Sequence, residues 1–422
     1  MLNRKVQPEI RQIRNIDIPD IEKIYLDNGV PVVITNTGTE DIVKIEIVHK
    51  AGKSVEDKKL VSRVTASLLK EGCGPWDAET FAEKFDFYGA GMKTASNMDF
   101  LYSSVYTIGK YIPHIIEPLS LMYREPRFEE SELENFTNVN IQKLKEELTK
   151  NEVLSYRLIT ESIFGSSHPY GYNSYPEDYK NITIHDVKDH FQGYIGTDNM
   201  YVFLSGKITD SIIKTVNEHF GQNQKLTHQK TYTSCDIPPF HKRFIEKAPA
   251  DFQCSLKLGR KLFDRTHEDQ SVFFVLNTIL GGYFGSRLMD VLREEKGFTY
   301  DISSQMDQML YDGCFYVTTE LSGENLDETI QEIYHQMDML QQKKVSAKEL
   351  EMVKNYLSGT FLHMVDGPLN LSVVAKTLAL IGLPFSALQD WIQNIMDITP
   401  EEVRRCAQKY LDKKDMVEVI VR

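Results

Sequence analysis

Short stretches in which apolar and polar residues alternate recur through the first half of the chain, the pattern of strands with one buried face. Residues 43–47 alternate in this way, and Asn28-Gly29 is typical of the turn of a hairpin over residues 23–35. Elsewhere the apolar residues recur every three or four positions, which indicates helices. The pattern predicts strands near 100–107 and 200–204 and helices near 60–69, 111–123, 131–148 and 184–194.

The second half repeats this order of elements. It predicts strands near 254–258 and 314–321 and helices near 270–280, 326–341 and 347–364. Single residues repeat as well, because Ile182-Thr183, Val187, Gln192, Tyr194 and Met200 each recur 216 positions later. The repeat predicts an internal duplication of about 210 residues.

The region between the halves is polar. Residues 222–239 lack apolar periodicity and end at Pro238-Pro239, which indicates a linker. We therefore predict an N-terminal domain over 1–221, a linker over 222–239 and a C-terminal domain over 240–422. Because strands and helices come in separate groups, the fold class is α+β, two homologous domains that each pack helices on one face of a mostly antiparallel sheet.

The amino-acid composition limits the cell compartment and the classes of binding partner that we expect. The 422 residues include 48 basic and 61 acidic ones, a formal charge of −13, which argues against a general nucleic-acid binder. No apolar run approaches the 18 residues of a membrane span, and no apolar leader follows the first five residues. The five cysteines are scattered, without a CxxC pair, as is typical of a reducing compartment. We expect a cytoplasmic protein without membrane or nucleic-acid partners.

Three stretches carry a family resemblance. They are residues 168–171 (His-Pro-Tyr-Gly), 281–288 (Gly-Gly-Tyr-Phe-Gly-Ser-Arg-Leu) and 292–300 (Leu-Arg-Glu-Glu-Lys-Gly-Phe-Thr-Tyr). Together with the duplication, they resemble the insulinase/pitrilysin family of zinc peptidases over nearly the whole chain. The resemblance implies a helix with the motif H-x-x-E-H, in which two histidines bind zinc and the glutamate is the general base.

The motif positions carry other residues in this sequence. They fall at 63–67, where Arg63 replaces the first histidine, Ala66 the glutamate and Ser67 the second histidine. The third ligand of the family, a glutamate, falls near Lys145, next to two glutamates. Catalytic zinc needs three protein ligands and an open position. We therefore expect no metal in this chain, and the roles of Arg63 and Ser67 stay open between solvated surface residues and a new function.

The spacing of the histidines gives little support for a metal site elsewhere in the chain. His185 and His190 are five residues apart, so on a helix they lie on different faces. No other histidine pair is closer than nine residues. The sequence predicts surface or packing histidines.

Two residues of the family's active site are retained. The resemblance implies that Arg293 and Tyr300 bind the substrate backbone and the developing oxyanion, and arginine and tyrosine are suitable donors for both. The structural alternative is an arginine at a helix end, paired with Glu294 or Glu295, and a tyrosine packed on the core. In either case Gly297 is predicted to end the helix before Tyr300.

The glycine-rich stretch has two compatible interpretations. The resemblance implies that Gly281, Gly282, Tyr283, Phe284 and Gly285 line a peptide-binding chamber. The structural alternative is a C-cap at Gly281-Gly282 followed by an N-cap at residue 286. Nucleotide binding is excluded by the missing Lys-Ser/Thr that a phosphate-binding loop requires.

The resemblance also implies a division of labour. In two-chain members of the family one chain carries the zinc motif, and the other contributes the arginine–tyrosine pair and half of the chamber. This sequence resembles the second kind, a non-catalytic, substrate-binding subunit that completes a partner's active site in trans, with zinc in the partner and none here. The alternatives are a structural or assembly scaffold and a homodimeric peptide-binding module.

Overall fold

The computed structural model describes residues 16–222, 243–247 and 253–422. The first half contains a six-stranded sheet with the strand order β1-β2-β6-β3-β5-β4. All neighbours are antiparallel except the parallel pair β2 and β6. The strands are β1 (Glu22–Tyr25), β2 (Pro31–Thr35), β3 (Ile42–His49), β4 (Gly91–Ser96), β5 (Leu101–Ile108) and β6 (Met200–Gly206).

The second half repeats the arrangement in a five-stranded sheet with the order β7-β11-β8-β10-β9. Again one pair, β7 and β11, is parallel and the rest are antiparallel. The strands are β7 (Arg243–Glu246), β8 (Cys254–Leu262), β9 (Thr299–Gln308), β10 (Gly313–Leu321) and β11 (Val417–Val421). Apart from β1, the two sheets have the same topology, so the duplication predicted from the sequence is present in the fold.

Most helices pack with those of their own half on one face of its sheet and close one apolar core in each half. Those of the first half are α1 (Val61–Leu68), α2 (Ala78–Asp86), α3 (Ile112–Arg124), α4 (Glu130–Glu147), α5 (Asn151–Phe164), α6 (Pro176–Lys180), α7 (Ile184–Tyr194) and α8 (Asp210–Phe220). Those of the second are α9 (Gln270–Asn277), α10 (Leu326–Gln342), α11 (Ala347–Val365), α12 (Gly367–Leu380), α13 (Ala387–Asp397) and α14 (Pro400–Tyr410). The α+β prediction is confirmed.

Repeated capping residues explain why two helices recur at the predicted offset. α7 begins at Thr183, whose hydroxyl accepts from the Asp186 N–H while the Asp186 carboxylate accepts from the Thr183 N–H. α14 begins with the same reciprocal pair, Thr399 and Glu402. Such a capping box satisfies two of the amide donors that the first helical turn leaves free.

The two halves exchange one helix each, which the sequence did not reveal. α5 leaves its own half and packs on β8 and β11, and α12 packs on β2 and β6. Two apolar clusters join the halves there, one with Ile159 and Phe164 against Tyr316, the other with Leu380 against Phe203. Each sheet therefore has its own helices on one face and a helix of the other half on the opposite face.

Buried charge accompanies this exchange. The Glu46 carboxylate, in the middle of β3, accepts from Lys44 and from Lys376 of α12, both at 2.8 Å. At the matching position of the second sheet stands Lys257, whose Nζ donates to Thr318 at 2.6 Å. Burial lowers the pKa of Lys257, and the charges of Glu152 of α5, Glu320 and Asp307 oppose that shift. The predicted linker lies outside the described residues except for Gln222. No helix among the described residues is long and apolar enough to cross a membrane.

Candidate functional site

The helix that would carry the zinc motif is α1, and its three substituted positions differ in environment. Arg63 is exposed, Ser67 is half-buried, and Ala66 is completely buried in the first apolar core. The Arg63 guanidinium donates to the Asn140 side-chain oxygen on α4 at 3.2 Å. Burial raises the pKa of Tyr179, and the nearby Arg63 charge opposes that rise. The arginine thus joins α1 to its neighbour by a polar contact.

These residues do not fit zinc. Arginine and alanine are not zinc ligands, and within the described residues no group of three His, Cys, Asp or Glu side chains converges on a common point. Lys145, at the predicted position of the third ligand, is exposed, and the neighbouring Glu146 lies 3.8 Å from Lys150 in an ion pair on the surface. No step of a metal-dependent reaction can therefore be assigned to α1 and α4.

The two neighbouring histidines lie on different faces of α7. His185 is exposed, and its Nε2 is 3.4 Å from Asp189. His190 is buried, hydrogen-bonds to the Ala51 carbonyl oxygen at 3.1 Å, and has its pKa lowered to about 4 by burial. They do not form a metal site with each other.

The His-Pro-Tyr-Gly stretch connects the halves. The Nδ1 of the buried His168 accepts from the Tyr170 N–H at 3.0 Å, and the Tyr170 hydroxyl donates to Asp99. The other Asp99 oxygen accepts from the Leu310 N–H in the β9–β10 turn at 2.8 Å. Burial raises the pKa of Asp99, and these hydrogen bonds oppose the rise. These hydrogen bonds link the first half of the chain to the β9–β10 turn of the second half.

The glycine-rich stretch begins with the last two residues of one π-helical turn, Thr278–Gly282, and leads into a second, Met289–Glu295. Gly281 is buried where β9 passes, and a Cβ there would lie 2.6 Å from the Ser304 nitrogen. The ring of Tyr283 packs against Tyr356 at a tilt of 31° with 4.7 Å between centroids, and a Cβ on Gly285 would lie 2.8 Å from the Tyr283 ring. Phe284, in contrast, is 63% exposed. Phe284 is therefore the residue of this loop with an exposed aromatic side chain.

The structural alternative for this loop is only partly correct. Gly281 and Gly282 end a helix, but the residue after them, Tyr283, is extended at φ −155°, so no left-handed glycine cap forms. The hydroxyl of Ser286 is buried and has no hydrogen-bond partner among the described residues. It is not the side-chain N-cap that the sequence suggests. The glycines are required by close packing rather than by capping.

Arg293 extends over this loop. Its guanidinium carbon lies 4.6 Å from the centroid of the Phe284 ring, a cation–π contact. Its Nε is 3.5 Å from Glu294, and about a third of the side chain (34%) is exposed. Gly297 then ends the helix in the left-handed region at φ +65°, as predicted, and the Phe298 N–H donates to the Leu292 carbonyl oxygen. The arginine and the glycine-rich loop thus form one surface.

Tyr300 is 89% exposed, and its side chain has no hydrogen bond or ring contact with the described residues. It lies in a β-bulge, because Tyr300 and Asp301 together face the single residue Glu320 of β10. Threonine hydroxyls hold the bulge: Thr299 donates to the Glu320 carbonyl oxygen at 2.7 Å and Thr319 to that of Asp301 at 2.8 Å. A tyrosine packed on the core, the structural alternative, is excluded.

Three features of these regions were not predicted from the sequence. They are Asn140, Thr299 and the contact of Phe284 with Arg293. The residues involved are far apart in sequence or lack a periodic pattern, so no local signal predicts the contacts. Only the glycines around Phe284 pointed to an unusual backbone.

Comparisons with known proteins agree with this geometry. A family described as "Peptidase M16 inactive domain" matches residues 181–357. The Bacillus subtilis "Uncharacterized zinc protease YmxG" is 23% identical over 394 residues, covering 92% of this chain and 95% of that protein. The Helicobacter pylori "Non-peptidase homolog YmxG" is 20% identical over 422 residues, covering 93% and 91%. A crystal structure of a peptidase M16 inactive domain from Pseudomonas fluorescens superposes with a TM-score of 0.86 at 21% identity, covering 95% of this chain and 98% of that one. The chain is therefore similar to inactive M16 peptidase proteins, in sequence over residues 181–357 and in fold over nearly its whole length.

The region that matches the M16 family model includes only part of the predicted site residues. The matched residues 181–357 contain the glycine-rich loop, Arg293 and Tyr300, whereas the positions 63–67 lie outside it. A second solved structure, a protease from Helicobacter pylori, superposes over 96% of this chain with a TM-score of 0.85 at 17% identity. The fold of these solved structures is therefore shared by both halves of this chain, including the half that contains α1.

Proposed function

We propose that this chain is a non-catalytic, substrate-binding subunit of a heterodimeric zinc metallopeptidase. A homologous partner with an intact H-x-x-E-H motif holds the zinc, and this chain supplies Arg293 and Tyr300 in trans. The observation that supports the proposal best is the Tyr300 phenol, 89% exposed on a bulge held by two threonines. A bulge that directs an aromatic hydroxyl away from its own core suits a group that acts on something outside the chain.

The chemistry of the pair fits peptide hydrolysis. An arginine offers several fixed donors for the carbonyl groups of an extended substrate. A tyrosine hydroxyl donates one hydrogen bond, and a donor to a developing oxyanion is worth about 2.7–4 kcal/mol of the barrier. The exposed ring of Phe284 and the backbone of Gly282 and Gly285 would contact the substrate beside them, while Gly281 and Tyr283 shape the loop from below.

The free sheet edges support one alternative. β4 and β9 each pair on one side only, so either could add a strand of an extended peptide. A homodimeric peptide-binding module could use these edges without any protease partner. A scaffold, the other alternative, would need neither Tyr300 nor a free edge.

The composition of the native complex tests the proposal. The tagged chain is isolated from its own cells, and the mass and subunits of the complex are determined. We expect a 1:1 complex with a homologue that carries H-x-x-E-H, zinc in that subunit, peptide hydrolysis by the complex and none by the chain alone. A homodimer, or a large assembly without such a subunit, would contradict the proposal. We also propose that the complex is cytoplasmic, which fractionation in the same experiment tests.

A further inference from the structure

The second half contains a cavity of about 400 Å³ that involves neither Arg293, Tyr300 nor the glycine-rich loop. It lies between α9, α11, α12 and α13, and its walls are mostly aliphatic and aromatic. They include Val374, Leu378, Ile381, Leu388 and Trp391. Cavities of about 300–1,000 Å³ with apolar walls and a few polar groups are typical small-molecule sites.

The uncharged polar side chains that line the cavity already have partners. Gln270 accepts a hydrogen bond from the Trp391 indole N–H. Asn370 and Thr377 donate to backbone carbonyl oxygens four residues earlier, at 3.1 and 2.9 Å. His363 is exposed at the rim, and no aspartate or glutamate lines the cavity. The remaining polar group is the guanidinium of Arg265.

Arg265 is solvent-accessible but lacks a counterion. Its Nε donates to the Gln308 carbonyl oxygen at 3.2 Å, which leaves its other N–H donors available. Among the ion pairs of the described residues none includes Arg265, and burial, without any opposing charge, lowers its pKa. An arginine nevertheless stays protonated in proteins, so the cavity contains an unpaired positive charge.

The same arginine also lines a second cavity, of about 310 Å³, at the seam between the halves. Thr377 and Ile381 of α12 line both cavities. The charge of Arg265 therefore lies where the apolar cavity meets the cavity between the two halves. A ligand in the apolar cavity could place an anionic group at Arg265 and an apolar tail against the opposite walls.

We propose that this cavity binds an amphipathic aliphatic monocarboxylate, with its carboxylate on Arg265 and its hydrocarbon tail against Leu378, Ile381 and Trp391. Charge complementarity selects the head, because an arginine pairs with a carboxylate through two parallel hydrogen bonds. The apolar walls select the tail, since removing each methylene group from water favours binding. The site needs no partner subunit, so it stands or fails independently of the proposed peptidase role.

Intrinsic fluorescence provides a direct test, because the chain has only two tryptophans, Trp76 and Trp391. In a Trp76→Phe background the emission comes from Trp391 in the cavity wall. The full chain is titrated with decanoate below its micelle concentration, and with decanol as an uncharged probe of the same length. We expect saturable binding of decanoate that is at least tenfold tighter than binding of decanol.

Two variants separate specific binding from general adsorption. Arg265→Gln should weaken decanoate binding at least tenfold and leave decanol binding within twofold, whereas Lys413→Gln, an exposed cation of the same half, should change neither. Ala387→Phe, which fills the cavity without touching the charge, should weaken both probes. Calorimetry checks that each variant unfolds cooperatively. The proposal is overturned if decanoate gives no saturable signal, or if Arg265→Gln affects both probes equally.

Discussion

The guanidinium carbon of Arg293 lies 4.6 Å from the centroid of the Phe284 ring, so this arginine and the glycine-rich loop share one surface. In the proposed complex Arg293→Ala should lower kcat/KM for a peptide at least tenfold, because it removes the donors for the substrate backbone. Phe284→Leu should cost about two- to fivefold, since an exposed cation–π contact is worth about 0.5–1 kcal/mol. Steady-state hydrolysis of a fluorogenic peptide measures both changes.

The matched control for this pair is Arg124→Ala, which removes an exposed arginine of the other half. It should leave kcat/KM within twofold. Unchanged turnover in Arg293→Ala would show that this arginine is only a helix-end residue paired with Glu294.

The environment of α1 predicts that the chain neither binds nor needs zinc. Metal analysis of the purified chain should find less than 0.1 zinc per chain. Removing a ligand that binds the folded state would lower Tm, so EDTA should leave the Tm of a zinc-free chain unchanged. Ala66→Glu, which restores the family's general base, should destabilise the chain by about 3 kcal/mol or more, since it buries a carboxylate in an apolar core. Arg63→Gln, at an exposed position, should cost less than about 0.5 kcal/mol. Stoichiometric zinc would refute this account of α1.

The buried carboxylate of Glu46 should be important for holding the halves together. Its side chain is 3% exposed and accepts from both Lys44 and Lys376. Glu46→Gln should lower the free energy of unfolding by about 3–5 kcal/mol, because it leaves two lysines without a counterion. Lys376→Met should cost less, since the pair with Lys44 remains. Urea unfolding measures both; a larger loss in Lys376→Met than in Glu46→Gln would contradict the interpretation.

Glu56 should give stability an unusual dependence on pH. Its carboxylate accepts from the N–H groups of Leu60 and Ser62 at the start of α1, and burial raises its pKa to about 7, while Lys53 and Lys59 oppose the rise. The pKa of Glu56 in the folded chain is above the ordinary glutamate value of 4.5, so between these two pH values the folded chain holds a proton that the unfolded chain has lost. The contribution of Glu56 to stability is therefore lost as pH rises from 4.5 to 7.

Comparison with Glu56→Gln isolates this effect. The difference in unfolding free energy between wild type and Glu56→Gln should favour the variant progressively from pH 4.5 to 7 and be constant above pH 8. The exposed Glu83→Gln serves as the control. A difference that does not vary with pH would show that the pKa of Glu56 is not raised.

The sequence predicted elements whose pattern is local. Alternation at residues 43–47, the turn at Asn28-Gly29 and the helical spacing near 184–194 correspond to β3, the β1–β2 hairpin and α7. The edge strand β4 was missed because its residues, Gly-Met-Lys-Thr-Ala-Ser, do not alternate cleanly. The tendency of a residue to form a strand depends more on how its side chain packs against neighbouring strands than on an intrinsic backbone preference.

The exchanged helices α5 and α12 were not predictable in the same way. Ile159 and Phe164 of α5 are buried against β10 and β11, which begin only at residues 313 and 417, and periodicity does not say which surface covers an apolar face. The candidate site was found through resemblance, but the bulge that exposes Tyr300 depends on hydrogen bonds of Thr299 and Thr319 with backbone groups across two strands. Those contacts exist only in the folded sheet.

Turnover of the reconstituted complex with Tyr300→Phe tests the central claim most directly. The substitution removes one hydroxyl from an 89% exposed side chain, so neither folding nor subunit assembly should change. If Tyr300 donates to the oxyanion in trans, kcat falls tenfold or more, toward the loss of about 10²–10³ typical of one such donor, while KM stays within about twofold. A kcat within twofold of wild type would contradict the account.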